Sequence, residues 1–122
     1  MWYNLKDMHQ SSSGKISAVV EVPPDSRWFR GHFPGEPILP GVALIGMVYD
    51  ITRLAQGADR RMQGLRRVRF KQIVLPHDRL DVTISFVGRN RGKSVFQVLS
   101  AGELVSSGHM FFESRPDELV NS

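Results

Sequence analysis

Residues 31–42 read Gly31-His32-Phe33-Pro34-Gly35-Glu36-Pro37-Ile38-Leu39-Pro40-Gly41-Val42, three glycines and three prolines around a single imidazole. That composition fixes a loop, and the loop presents His32, whose ordinary pKa of about 6.5 lets it accept and return protons near neutral pH. From composition alone, a solitary loop histidine is more simply read as a solvated side chain. The apolar run 43–49 follows without a break. Pro40 suits a helix's first turn, where its missing N–H would be unpaired in any case. Gly41 therefore falls where backbone N–H groups lack an intrahelical acceptor and the helix dipole is positive. It is either an ordinary helix start or a place to hold negative charge developing on a carbonyl oxygen.

The rest of the chain has to position that loop. Its 122 residues, 41% hydrophobic and 23% charged, describe one globular domain with a modest core, so association through a sheet edge or helix face is a natural way to enclose a pocket. With no cysteine there is no thiolate nucleophile and no disulfide, and nothing points to an oxidising compartment. The first residues lack the pattern of a signal peptide, and the run 38–49 is broken by Pro40, Gly41 and Gly46 and is too short to cross a bilayer. A cytoplasmic protein without membrane insertion is expected. Sixteen Lys and Arg against twelve Asp and Glu give a net charge of +4 and a pI near 10.0, which favours an acidic partner. His9, His77 and His109 are scattered without carboxylates at ligand spacing, so no metal site is expected.

Residues 1–14 are polar and end in Ser11-Ser12-Ser13-Gly14, which predicts a loosely docked segment with order beginning after it. The domain proper is expected over 15–113, followed by a polar, frayed tail over 114–122. Residues 15–22 alternate, with Ile16, Ala18, Val20 and Val22 on one face, as in a half-buried strand ended by Pro23-Pro24. Residues 42–55 predict a helix enclosed on most sides, wet only in its last turns and stopped by Gly57. Strands are predicted at 66–75, 80–87, 94–100 and 103–112. The first places Arg67, Arg69 and Lys71 opposite Val68 and Phe70, and the last leaves space beside Ser106 and Gly108. The links at 76–78, 88–92 and 101–102 are short enough to imply antiparallel neighbours. The sum is an α+β domain, one long helix wrapped by a curved antiparallel β-sheet.

The loop 31–42, together with Phe70-Lys71-Gln72-Ile73-Val74-Leu75-Pro76-His77-Asp78-Arg79-Leu80 about thirty residues later, resembles the 3-hydroxyacyl-[acyl carrier protein] dehydratases of the FabA/FabZ type. The resemblance spans roughly residues 16–112. It implies the hotdog fold and a dimer whose sheets join edge to edge, with sites at the interface. It also implies dehydration of a (3R)-3-hydroxyacyl thioester to the trans-2-enoyl thioester in fatty-acid or related acyl-chain biosynthesis. No metal or redox cofactor is implied, and the acyl chain arrives on the phosphopantetheine of an acyl carrier protein.

On that resemblance His32 is the base for the proton alpha to the thioester carbonyl, and Gly41 is the oxyanion contributor. The departure is Gly46, where the family carries a glutamate or aspartate, the usual partner of the histidine from the other subunit. A glycine inside a helix costs about 1 kcal/mol relative to alanine, so it wants a reason, such as close packing or room for a ligand. Two substitutes for the acid lie nearby. Asp50 is one turn on, about 6 Å by helical rise, and Tyr49 leans back toward the helix N-terminus. Each also has an ordinary reading, Asp50 as a solvated charge and Tyr49 as core. Arg67, Arg69 and Lys71, with Arg60, Arg61 and Arg66 before them and Arg89, Arg91 and Lys93 on a turn, fit either a docking surface for an acidic carrier or a solvated face. Nucleic acid is not expected, since that face lacks interleaved aromatics. The sequence thus predicts a dehydratase. Its alternatives are a non-catalytic acyl-carrier or acyl-thioester binding homologue and, third, a hotdog thioesterase; the assembly is expected as a homodimer or higher homo-oligomer, or as a heteromer with an active homologue.

Overall fold

The structure, a computed structural model, describes residues 2–26, 39–88 and 91–113. Six strands and one helix follow in the order β1 (Asn4–Gln10), β2 (Ile16–Glu21), α1 (Gly41–Gln56), β3 (Met62–Phe70), β4 (Arg79–Val87), β5 (Lys93–Ser100) and β6 (Glu103–Phe112). They make one sheet in the order β1-β2-β4-β5-β6-β3, every pair antiparallel. One helix against a six-stranded antiparallel sheet is the hotdog architecture that the resemblance implied.

The core follows from period-two patterning. Ile16, Ala18 and Val20 of β2, Leu80, Val82 and Ile84 of β4, Phe96 and Val98 of β5, and Met110 and Phe112 of β6 are all buried on the face that α1 covers. The helix contributes Ala43, Leu44, Ile45, Met47, Val48 and Ile51. Gly57, at φ 118°, ends it, and its N–H bonds the Arg53 carbonyl at 2.8 Å. The described residues contain no helix long and apolar enough to cross a membrane.

Several expectations are corrected. Asn4–Gln10 of the supposedly loose N-terminal segment is an edge strand paired along β2, and Tyr3 just before it is buried. The expected strand 66–75 is displaced to Met62–Phe70. It lies beside β6 at the far edge of the sheet, so β3 and β4 are not neighbours, and residues 71–78 are a crossing link rather than a hairpin turn. That link is tied at both ends by backbone bonds: Lys71 N–H donates to Val105 O at 2.7 Å and His77 N–H to Val22 O at 2.8 Å.

The helix is less enclosed than its composition suggested, with Val42, Gly46 and Leu54 exposed along one stripe. The space expected beside Gly108 is filled by the buried Phe96 ring, which a Cβ at Gly108 would meet at 2.8 Å. Arg60, expected on the basic surface, is buried to 1% exposure, its guanidinium over the rings of Phe86 and Phe112. A guanidinium can stack there because its charge is delocalised over a plane.

Candidate functional site

Helix α1 starts at Gly41, with Pro40 as its N-cap in extended backbone (φ −64°, ψ 146°), no side-chain cap and no acidic residue in its first turn. The first N–H groups of a helix have no acceptor within it, and the dipole's positive end coincides with them. An oxygen gaining negative charge would be stabilised at this place. The approach is apolar: Val42 is 67% exposed, Phe70 52% and Ile73 59%, with Leu75 also exposed. Phe70 closes over the helix start, so that a Cβ built on Gly41 would lie 2.7 Å from Phe70 Cζ. Glycine at 41 is therefore a packing requirement as well as a helix start.

His32 and the loop around it lie outside the described residues, as do Trp28 and Phe29. Both flanks of that segment are fixed. Ser26 is buried before it, and after it Leu39 is buried and donates its N–H to Val74 O at 3.1 Å.

Gly46 is exposed, and a Cβ built there meets nothing within 4 Å. The two expected substitutes have other partners. Tyr49 donates its hydroxyl to Arg60 O at 3.1 Å and accepts the Met62 N–H at 3.3 Å, tying the helix to the start of β3, while Arg53 stacks on its ring. Asp50 is half-buried and accepts the Tyr3 hydroxyl at 3.4 Å. Burial, then the Asp50 charge, then this hydrogen bond push the Tyr3 phenol above its ordinary value of 10.0. A shallow, mostly apolar groove of about 340 Å³ runs beside Asp50, lined also by Arg53, Leu54 and Ala58.

The basic residues do not surround the helix start. Arg67, Arg69 and Lys71 line a groove with Gln97, Ser107 and His109, on the sheet face that α1 does not cover. Residues 89 and 90 of the basic turn lie outside the described residues, and Arg91 lays its guanidinium against Gly14. Among the described residues, no three His, Asp or Glu side chains form a metal-ligand cluster.

Sequence reasoning gave no role to Tyr3, and its signal was weak: a lone aromatic in a polar stretch. Phe70 is legible as lying on the strand face opposite Arg67, Arg69 and Lys71. Its contact with Gly41 is not, because it depends on β3 reaching the helix from the far edge.

The ApeI-like family, described as ApeI dehydratase, matches residues 8–109. A 3-hydroxyacyl-[acyl-carrier-protein] dehydratase FabZ of Syntrophomonas wolfei is 34% identical over 118 residues, covering 80% of this chain and 82% of the relative. The FabZ of Thermomicrobium roseum is 35% identical over 103 residues, covering 77% and 69%. Among solved structures, the dehydratase heterocomplex ApeI:P from Xenorhabdus doucetiae superposes with a TM-score of 0.83 at 23% identity, covering 94% of this chain and all of that one.

Proposed function

The chain belongs to the ApeI-like dehydratase family, and from that premise we propose that it removes water from a (3R)-3-hydroxyacyl thioester carried on an acyl carrier protein. The observation that carries this reading is its identity of 34% and 35% with two FabZ dehydratases. In the proposed reaction His32 takes a proton from the carbon alpha to the carbonyl, and the electron pair moves toward the carbonyl oxygen, which the N–H groups at Gly41 stabilise. Collapse of that charge forms the alpha–beta double bond and expels the beta hydroxyl, which leaves as water after gaining a proton. No electrons are gained or lost overall, so the step calls for no redox cofactor. The carrier protein is acidic, and the net charge of +4 favours its approach.

The protonation of the leaving hydroxyl separates this chain from the family pattern. With Asp50 and Tyr49 engaged elsewhere and open space at Gly46 among the described residues, the proposed proton source for the leaving hydroxyl is water. Loss of a positioned general acid costs about 10²- to 10⁴-fold in rate, so slow turnover is expected. That observation favours a second reading, an acyl-thioester binding homologue that pairs with a carboxylate-bearing relative. The edge strand β3 and the exposed Val42, Phe70, Ile73 and Leu75 suit pairing with a second chain, identical or related. A thioesterase, the third reading, would need Asp50 to activate a water, and that carboxylate already accepts from Tyr3.

The test is a dehydration assay on a 3-hydroxyacyl carrier-protein substrate with the wild type, His32→Ala and Gly46→Glu. Slow turnover lost in His32→Ala and raised at least tenfold in Gly46→Glu is the expected result. Saturable binding with no turnover by the wild type would establish the binding reading instead. Full activity in His32→Ala would remove the assigned base.

A further inference from the structure

The face of the sheet turned away from α1 carries a feature that the proposed elimination does not use. Strand β3 pairs with β6 as Arg66↔His109 and then Arg69↔Ser107, so three steps along β3 match two along β6. The extra residue is a bulge, and within it Arg67 adopts φ 55°, a left-handed conformation uncommon for a residue with a side chain. Bulges re-aim side chains. Without this one, Arg66 and Arg69 would point to opposite faces of the sheet. With it, both face outward, and Arg67 joins Arg69 and Lys71 along one wall of a groove of about 310 Å³.

The groove floor mixes polar and apolar groups and holds no carboxylate, with Phe96 and Leu104 also lining it. Gln97 pairs with Ser107 across β5 and β6, Val95 pairs with His109, and all four line it. No carboxylate among the described residues pairs with Arg67, Arg69 or Lys71; the nearby Glu103 is bound by Gln72 at 2.7 Å. His109 feels the same unneutralised charge. Loss of hydration, then Lys93, then Arg67 hold its imidazole below the ordinary 6.5. Guanidinium forks, an ammonium, a hydroxyl and an amide donor around a cleft form a donor set suited to phosphoryl oxygens.

We propose that this outer groove is a binding site for a compact phosphate anion bearing two or more negative charges, held by Arg67, Arg69 and Lys71 over Ser107 and Gln97. The site lies on the opposite side of the sheet from Gly41, so a ligand there would act apart from the reacting thioester. Free pyrophosphate and the phosphate chain of a nucleotide share the recognised chemistry.

The test titrates the full-length protein with inorganic pyrophosphate and separately with ATP, following heat and the His109 ring resonances. Saturable binding should raise the His109 pKa, because an anion offsets Lys93 and the arginines. Arg67→Gln and Arg69→Gln should each weaken binding at least tenfold, whereas Lys6→Gln, which removes equal charge on β1, should leave it within twofold. Pyrophosphate binding as tightly as ATP assigns recognition to the phosphates alone, and tighter ATP binding adds a base or sugar contact. Both results support the site. Equal weakening by Lys6→Gln, or absence of saturation, overturns it. Competition between acyl carrier protein and pyrophosphate, with Arg69→Gln raising KM only for carrier-linked substrate, would make the groove a protein docking face and would also overturn it. Dehydration of a pantetheine-linked substrate is unchanged in Arg67→Gln and Arg69→Gln in every case, which keeps this test separate from that of the proposed activity.

Discussion

The ring of Phe70 lies directly over Gly41, close enough that a methyl group at residue 41 would stand 2.7 Å from its Cζ and 2.8 Å from its Cε1. The glycine lets the edge strand β3 close on the start of the helix. Gly41→Ala should therefore push the ring outward, at a cost of about 1–2 kcal/mol, the low end for overpacking because a half-exposed ring can swing away. A fall of a few degrees in Tm is expected. Combining Gly41→Ala with Phe70→Ala should cost less than the sum of the two single changes, since the clash is absent once the ring is gone. Strict additivity in thermal melts would show that the two residues do not meet.

How far the sequence discloses this arrangement varies by element. Strands β2 and β4 are legible because each buries one face, so alternation marks them; β5 and β6 are legible as apolar runs between short turns, and α1 from its apolar run between Pro40 and Gly57. Strand β1 is not, because its register shifts between Leu5 and Asp7 and only Leu5 and Met8 are partly buried, which breaks the alternation. The far-edge place of β3 is also hidden. It rests on long-range pairing with β6, whereas short links in the sequence suggest pairing with the next strand. Of the candidate site, the glycine at the helix start can be read from the residues, as can a second glycine, Gly46, inside the helix. The occupation of Asp50 by Tyr3 cannot, since it joins positions 47 residues apart.

Gly108 offers the opposite case to Gly46. At Gly46 a side chain meets open space, and alanine there should raise stability by up to about 1 kcal/mol through helix propensity alone. At Gly108 a Cβ would lie 2.8 Å from Phe96 Cζ and 3.1 Å from Val68 Cγ2, and Phe96 is fully buried with no room to withdraw. Gly108→Ala should cost about 1–3 kcal/mol, visible in urea denaturation as a lower midpoint with an unchanged slope. A neutral Gly108→Ala would mean that the Phe96 ring does not lie over its cross-strand partner Gly108 as described.

His109 gives stability a dependence on mild acid. Its folded pKa is depressed by lost hydration, Lys93 and Arg67, while the unfolded chain titrates near 6.5. As pH falls through 6.5 the unfolded chain takes up a proton that the folded chain refuses, so stability declines from that point until the folded imidazole also titrates. His109→Gln should flatten the unfolding midpoint between about pH 6.5 and 5 relative to wild type. Arg67→Gln should flatten it in part, because one of the repelling charges is gone. Curves for wild type and His109→Gln that run parallel across this window would place the acid sensitivity elsewhere.

Tyr3 sets the alkaline limit by the same linkage with the sign reversed. Below pH 10 its phenol is neutral in both folded and unfolded chains and contributes no pH dependence. Above pH 10 the unfolded chain gives up the proton, while burial and the Asp50 carboxylate keep it on the folded one, so stability falls as pH rises. Tyr3→Phe removes this loss and also removes the 3.4 Å hydrogen bond to Asp50, whose length puts its worth at about 0.5–1 kcal/mol. The variant should therefore be slightly less stable than wild type at pH 7 and should lose less on going to pH 11, with the gap narrowing in melts across that range. Asp50→Asn removes the charge but keeps the burial, so it should retain most of the alkaline loss, since burial is the larger cause. A wild-type melt that is flat from pH 9 to 11 would show that the phenol is solvated, and with it that the segment before β1 does not seal the side of α1.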